Sequence, residues 1–352
     1  MFQPRITGAI IALGLAAPLC TDLQAQTKSY PLSGSRVAVY NLAGKLSVEA
    51  GSGSTTTVEV SQLGSDAGKL SVVTGERGNR QALRVVYPSD RIVYPVLGRH
   101  SESDVQVDDD GFFDSDRGGR GHRVEITGSG SGLEAHADIK VKLASGTSVD
   151  VHLACGDVTV TDVNGDIMVS TGSGDVDASG VKGDLDIDTG SGNVTAEKVS
   201  GPLKIDTGSG DVKIRGQNGG SLKIDTGSGN ITADDATADH IKMDTGSGDI
   251  ELNGATAPDA SFDTGSGNVT AHFSGKLDRV SVETGSGDVN VTIPADFSGT
   301  LDLESSNDDG IDIGFPVQLV RKDEGELRAK VGTGSGEIRV ETGSGSVKID
   351  RK

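Results

Sequence analysis

The chain has 352 residues, 52 of them glycine, with no tryptophan, 3% aromatic residues and a formal net charge of -20. That charge excludes a basic groove for nucleic acid or anionic lipid, which must neutralise phosphates with clustered Lys and Arg. Glycine at about twice its average frequency, with so few aromatics, excludes an ordinary aromatic-rich core. What remains possible is a thin core of small and β-branched side chains stacked in register.

Residues 1–25, MFQPRITGAIIALGLAAPLCTDLQA, carry an early positive charge at Arg5, an apolar run from Ala9 to Leu19 and a polar close at Leu23-Gln24-Ala25. This order predicts a secretory signal peptide cleaved after Ala25. The run is too short to span a bilayer and no longer one follows, so no transmembrane segment is expected. Leu19, bulky and immediately before Cys20, argues against a lipid-modified cysteine there. Cleavage removes Arg5 and Asp22, one charge of each sign, so the remainder keeps -20. It also leaves Cys155 as the single cysteine, which permits no internal disulfide.

Residues 26–136 are expected to form an irregular β cap, from the strand-like runs Arg36 to Tyr40, Leu46 to Val48, Thr57 to Val60 and Leu83 to Tyr87. Within it, His100 to His122 reads HSESDVQVDDDGFFDSDRGGRGH, acidic and then Arg/Gly-rich, which predicts a flexible loop. Its aspartates Asp108, Asp109, Asp110, Asp114 and Asp116 lack the spacing of a calcium loop and predict a solvated acidic surface.

Residues 137–352 are expected to form a single β-solenoid. Thr-Gly-Ser-Gly recurs at Thr171-Gly172-Ser173-Gly174, Thr189-Gly190-Ser191-Gly192, Thr207-Gly208-Ser209-Gly210, Thr226-Gly227-Ser228-Gly229, Thr245-Gly246-Ser247-Gly248, Thr264-Gly265-Ser266-Gly267 and Thr284-Gly285-Ser286-Gly287. Successive copies start 18, 18, 19, 19, 19 and 20 residues apart, and a degenerate copy, Leu153-Ala154-Cys155-Gly156-Asp157, lies 18 residues upstream of the first. A fixed period of this size predicts one coil of a solenoid per repeat. In the unit LKIDTGSGDVKI, Leu203, Ile205, Val212 and Ile214 are expected inward, and Lys204, Asp206 and Lys213 outward. The glycines are expected to make a sharp corner, with Thr and Ser hydroxyls satisfying turn amides. Val331-Gly-Thr-Gly-Ser-Gly-Glu-Ile-Arg-Val, followed by Glu341-Thr-Gly-Ser-Gly-Ser-Val-Lys-Ile, is expected to close the array. No helix is expected.

The residue after each corner alternates: Asp175, Asn193, Asp211, Asn230, Asp249, Asn268, Asp288. Stacked aspartates repel, and alternation with Asn spaces the charges to about 10 Å, near the screening length in physiological salt. Lys204, Lys223 and Lys242 precede Asp206, Asp225 and Asp244 by two residues, placing them on one face where they offset that row.

Read alone, Ile187-Asp188-Thr189-Gly190 suggests an aspartic protease. Such an enzyme needs two converging aspartates, one per lobe, whereas here Asp-Thr-Gly-Ser occurs five times at coil spacing, at Asp188, Asp206, Asp225, Asp244 and Asp263. The repeat also lacks the double glycine of calcium-binding nonapeptide coils. The six histidines, His100, His122, His136, His152, His240 and His272, form no pair at ligand spacing. No catalytic residue, metal ligand set or cofactor is expected, and Cys155 reads as a buried packing thiol.

The run from Ala137 to Val151, then Gly156-Asp157-Val158-Thr159-Val160, the serial TGSGD/N-V coils and the closing stretch from Gly332 to Val347 resemble a family of exported bacterial β-strand-repeat proteins labelled adhesins, of unknown function. The resemblance implies a secreted, periplasmic or cell-surface β-solenoid without catalytic residues, whose partner is a surface or envelope ligand, protein or glycan. A periplasmic stress or signalling accessory and a glycan-acting β-helix enzyme are the alternative readings.

Overall fold

The computed structural model describes residues 27–108, 110–113, 121–307 and 310–352. The expected signal peptide, and Asp109, Asp114 and Asp116 of the acidic stretch, lie outside the described residues. The chain is all-β. Among the described residues the helical segments are two short 3-10 turns, Ala67–Lys69 and Pro95–Leu97. The strands form a 15-stranded and a 14-stranded sheet, here the first and second sheets, and a small three-stranded one.

One coil shows how the sequence builds the stack. Ser221–Thr226 is a strand of the first sheet, Gly227 to Asn230 turn the chain, and Ile231–Asp234 is a strand of the second. Leu222, Ile224, Ile231 and Ala233 are buried between the sheets, while Lys223 and Asp225 are exposed, the two-residue period of a strand. Asp235 then reverses the chain at φ 54°, and Thr237 makes a parallel bridge to Asn218 on one side and Thr256 on the other. Each strand pairs in parallel with the same position one coil away, as in Leu203↔Leu222↔Ile241 and Val212↔Ile231↔Ile250. Backbone amides are thereby satisfied between coils, and like side chains stack on like. Burial contributes about 1.5–3 kcal/mol per large apolar side chain. Four or five such residues cannot hold a coil alone, so each depends on its neighbours.

The structure departs from the expected domain boundaries at both ends. Arg36–Ala43 pairs in parallel with Ser148–Cys155, and Leu46–Ala50 with Val158–Thr161, so residues 36–50 form a coil of the same stack turning at Gly44, not a strand of a cap. Its corner reads Asn41-Leu42-Ala43-Gly44, which hides the repeat from a search on Thr-Gly-Ser-Gly. Beyond this coil lie Arg80–Val86 in the first sheet and His136–Leu143 in the second, so the boundary expected at 136/137 falls inside one strand. Antiparallel strands Ser71–Arg77, Thr56–Leu63 and Thr27–Leu32 finish that end.

At the other end, Gly336–Thr342 sits between Arg279–Thr284 and Gly299–Ser305, and Val347–Arg351 between Val289–Ile293 and Ile311–Ile313. The stretch expected to close the array is therefore a penultimate coil. The first sheet ends instead in an antiparallel hairpin, Glu326–Val331 with Gln318–Asp323.

The stretch from His100 to His122, expected as a loop, contains the strand Glu102–Val107, antiparallel to His122–Thr127; with Arg91–Val93 these form the small sheet. The alternation Asp104-Val105-Gln106-Val107 is strand-like, but its acidic composition masks it. Phe112 packs edge-on against Tyr40, with ring centroids 4.9 Å apart, and Arg77 lies 3.9 Å over the Phe112 ring. Asp108 Oδ1 accepts the N–H of Phe112 at 2.8 Å and fixes the turn that delivers it.

Candidate interaction surface

The threonine of each corner faces inward. Thr171, Thr189, Thr207, Thr226, Thr245, Thr264 and Thr284 are all buried, stacked in register on consecutive strands of the first sheet. Thr264 Oγ1 donates to the Gly248 carbonyl of the preceding coil at 2.9 Å and accepts the N–H of Gly267 in its own corner at 3.1 Å. Thr284 and Thr342 repeat both bonds. Each of these three hydroxyls thus satisfies two backbone groups that the tight corner removes from the sheet ladder, whereas Thr207 and Thr226 make only the bond to the preceding coil and Thr189 Oγ1 makes neither. Gly248, the last residue of its corner, packs so closely that a Cβ there would lie inside the contact radius of the Gly229 oxygen. The middle Gly and Ser of each copy from Gly190-Ser191 to Gly285-Ser286 are exposed and form a narrow stripe poor in side chains.

Cys155 occupies the serine place of the degenerate corner, paired in register with Ala43 and Ser173. Its Sγ lies 3.4 Å from Ser173 Oγ, and burial pushes its thiol pKa up, the opposite of what a nucleophile needs.

The alternating Asp/Asn positions form a continuous hydrogen-bonded ladder. Asp175 Oδ1 accepts the N–H of Asn193 at 2.8 Å, Asn193 Oδ1 that of Asp211 at 3.0 Å, and Asp211 Oδ1 that of Asn230 at 2.9 Å. The ladder runs on through Asp249, Asn268 and Asp288 to Ser346. Asp and Asn both offer the oxygen this bond needs, so alternation halves the charge without breaking the ladder. Ser346 receives no such duty, and its hydroxyl instead donates back to Asp288 Oδ1 at 2.8 Å.

A second alternation occupies the turn after the second sheet. Asp162, Gly180, Lys198, Gly216, Asp235 and Gly254 all have φ between 52° and 70°. A Cβ on Gly180 would collide with the Asp162 carboxylate, and one on Gly254 would press on that of Asp235. An aspartate here leans over the next coil, which must then carry glycine. The steric reason holds at Gly180 and Gly254, whereas a Cβ on Gly216, which follows Lys198, would meet open space.

The outer face of the first sheet carries two parallel rows. One runs Asp206, Asp225, Asp244, Asp263, Glu283, Glu341, Glu304, Glu326, Asp323; the other, two residues away on each strand, runs Lys204, Lys223, Lys242, Ser261, Ser281, Arg339, Asp302, Arg328, Arg321. Lys242 Nζ lies 3.8 Å from Asp244, and Lys204 Nζ 3.1 Å from Asp186. Burial, then the stacked carboxylates of Asp244 and Asp206, push the Asp225 pKa up. Asp188 begins the acidic row beside Asp206, so the Asp-Thr-Gly aspartates extend along a sheet and do not converge as a protease pair. Glu304, Glu326 and Asp323 join the row from outside the repeat. Glu304 is brought there by the pairing of Gly299–Ser305 with Gly336–Thr342, and Glu326 and Asp323 by the terminal hairpin; no sequence spacing announces either.

The outer face of the second sheet bears a polar groove of about 580 Å³ lined by Lys45, Glu59, Asp138, Lys140, Asp157, Asp175 and Asp177 among others. Lys142 pairs with Glu59 at 2.7 Å, and Asp138 Oδ1 accepts the Lys45 N–H at 2.9 Å. Among the described residues, no three His, Cys, Asp or Glu side chains are grouped to hold a metal ion. No helix of the described residues is long and apolar enough to cross a membrane.

Stacked coils whose outward positions repeat rung after rung define an all-β repeat scaffold, a β-solenoid-like fold. The chain belongs to the Toastrack DUF4097 family, whose model matches residues 44–218 and again residues 184–350. No curated protein matches it. Solved structures with some likeness include a "putative adhesin" from Parabacteroides distasonis, 13% identical over 93% of this chain and 98% of that one, with a TM-score of 0.41. Another protein of the same species, described as a "putative lipid binding protein", is 14% identical over 93% and 97%, with a TM-score of 0.39. A "putative adhesin" from Bacteroides fragilis is 11% identical over 94% and 98%, with a TM-score of 0.37. Overlaps this loose say nothing about what the present chain binds.

Proposed function

We propose that the chain is an exported, non-enzymatic β-solenoid that works as a binding surface in the cell envelope, in the manner of an adhesin. The two long sheets and the line of bridges through Asn164, Lys182, Ser200, Asn218, Thr237 and Thr256 are read as the sides of one continuous solenoid. The corner residues Thr-Gly-Ser-Gly are its structural joints. The observation that carries the proposal is the register itself. Outward Asp and Lys residues repeat from coil to coil on the first sheet, while the outward positions of the second vary from coil to coil around the same register, as in Thr195, Lys213, Thr232 and Glu251. A rigid, regular face suits recognition of an extended ligand, protein or glycan, better than turnover of a small one. The amino-terminal 25 residues, with their signal-peptide pattern, support export.

Fractionation of the producing cells, followed by external protease, tests the assignment. An adhesin is recovered at the surface and is cleaved from outside. A purely periplasmic, protected protein favours the accessory reading over adhesion. Polysaccharide turnover by the purified chain would overturn the non-enzymatic reading.

A further inference from the structure

Three of the four outermost strands of the two long sheets carry a device that discourages edge pairing: Thr27–Leu32 contains Pro31, Ile311–Ile313 is only three residues long, and Gln318–Asp323 carries an irregularity at Val320 together with Arg321 and Lys322. The fourth, Ser71–Arg77, is a regular strand without proline.

On the outer face of the first sheet, Lys204, Lys223 and Lys242 stand beside Asp206, Asp225 and Asp244, one pair per coil. We propose that this face is a homodimer interface, in which two copies meet face to face about a two-fold axis parallel to the stack. That rotation exchanges left and right but keeps the coils in order. Asp206, Asp225 and Asp244 of each copy then lie over the second copy's Lys204, Lys223 and Lys242, and Glu341, Glu326 and Asp323 over its Arg339, Arg328 and Arg321, while Asp263 and Glu283 meet serines and Glu304 meets Asp302. A two-fold axis across the stack would set acid on acid, so the charge pattern selects the first arrangement.

The partner is a second copy because of pitch. The rows repeat at the strand spacing of about 4.8 Å, so a partner stays matched over many coils only if it has the same rise. The face is about 40 Å long and about 15 Å wide, from nine rungs of about five residues, which gives about 600 Å² per copy. This is the low end for a specific interface. Lys204–Asp186 and Lys242–Asp244 are exposed pairs that contribute little within one copy and exchange readily for contacts across the interface. Each copy carries -20, but at physiological ionic strength a screening length of about 8 Å damps repulsion between distant charges and spares facing pairs. The proposal does not depend on the adhesin reading.

Sedimentation velocity on the full chain tests it. The wild type is expected to show a concentration-dependent dimer at about 0.15 M salt that is lost at about 1 M, where the screening length is about 3 Å. K204E/K223E/K242E and D206K/D225K/D244K are each expected to remain monomeric, and their equimolar mixture to associate again. If a triple variant fails to fold, K223E at the centre of the face must weaken association by itself. A wild type that is monomeric at 0.15 M salt at its highest soluble concentration overturns the proposal. So does a lysine-reversed variant that dimerises like the wild type, or a mixture that stays monomeric.

Discussion

Thr245 Oγ1 donates to the carbonyl of Gly229, one coil earlier, at 2.9 Å, and the N–H of Gly248 returns to the same hydroxyl at 3.2 Å. One buried side chain thus serves two backbone groups of different coils. Thr245→Val keeps the shape and removes both bonds. Stability in chemical denaturation is expected to fall by about 1–3 kcal/mol, the cost of buried polar groups left unmade. Thr245→Ser should recover most of it. A valine variant as stable as the wild type would show that the hydroxyl ladder contributes nothing.

Gly248→Ala is expected to be far more damaging, because the added methyl has nowhere to go except into the Gly229 carbonyl. A loss above about 4 kcal/mol, or failure to fold, is the expected outcome for overpacking against backbone. Gly75→Ala is the control. A Cβ there meets nothing within 4 Å, and the change should stay within about 0.5 kcal/mol.

Asp225 and Asp288 titrate in opposite senses. Burial and stacked neighbours raise the Asp225 pKa, so its folded-state penalty is full at neutral pH and is relieved as pH falls through the folded value toward the unfolded one. Asp225→Asn should therefore stabilise at pH 7, with the gap to wild type closing below about pH 4. The backbone N–H and then the hydroxyl of Ser346 lower the Asp288 pKa, so its contribution is present above the unfolded value and disappears as pH falls through the folded one. Asp288→Ala should destabilise at pH 7 and converge with wild type in acid. Thermal melts of both variants from pH 2 to 8 check the signs, and parallel behaviour would contradict the opposed environments.

Cys155 is buried and its thiol pKa is raised, so it should resist an aromatic disulfide reagent at pH 8 in the native protein and react fully once the chain is unfolded. Rapid labelling without denaturant would mean that the coils at residues 148–161 open locally.

Strand character in the repeats was legible because a two-residue alternation such as Leu203, Ile205, Val212 and Ile214 has only one way to face a core. The threonine hydroxyls were expected to satisfy turn amides, and Thr245 does so; that its Oγ1 also reaches back to the glycine carbonyl of the preceding coil was not legible, because it depends on how closely the corners stack. The coil at residues 36–50 escaped because Asn41 and Ala43 replace the corner vocabulary, and because about a hundred residues separate it from the coil it stacks on. The strand Glu102–Val107 was hidden by its own acidity. The acidic row was legible from Asp188 to Asp263, and again at Glu283 and Glu341, where the repeat itself writes it, whereas Glu304, Glu326 and Asp323 depend on a pairing between distant segments.

The coil at residues 336–351 lies between two coils that precede it in the chain. Residues 299–331 pair with the rest of the stack only through it, so in the finished fold this coil acts as a keystone. Its contacts join segments far apart in the chain, as do those of residues 36–50 with 148–161, and such non-local pairings carry the larger loop-closure costs.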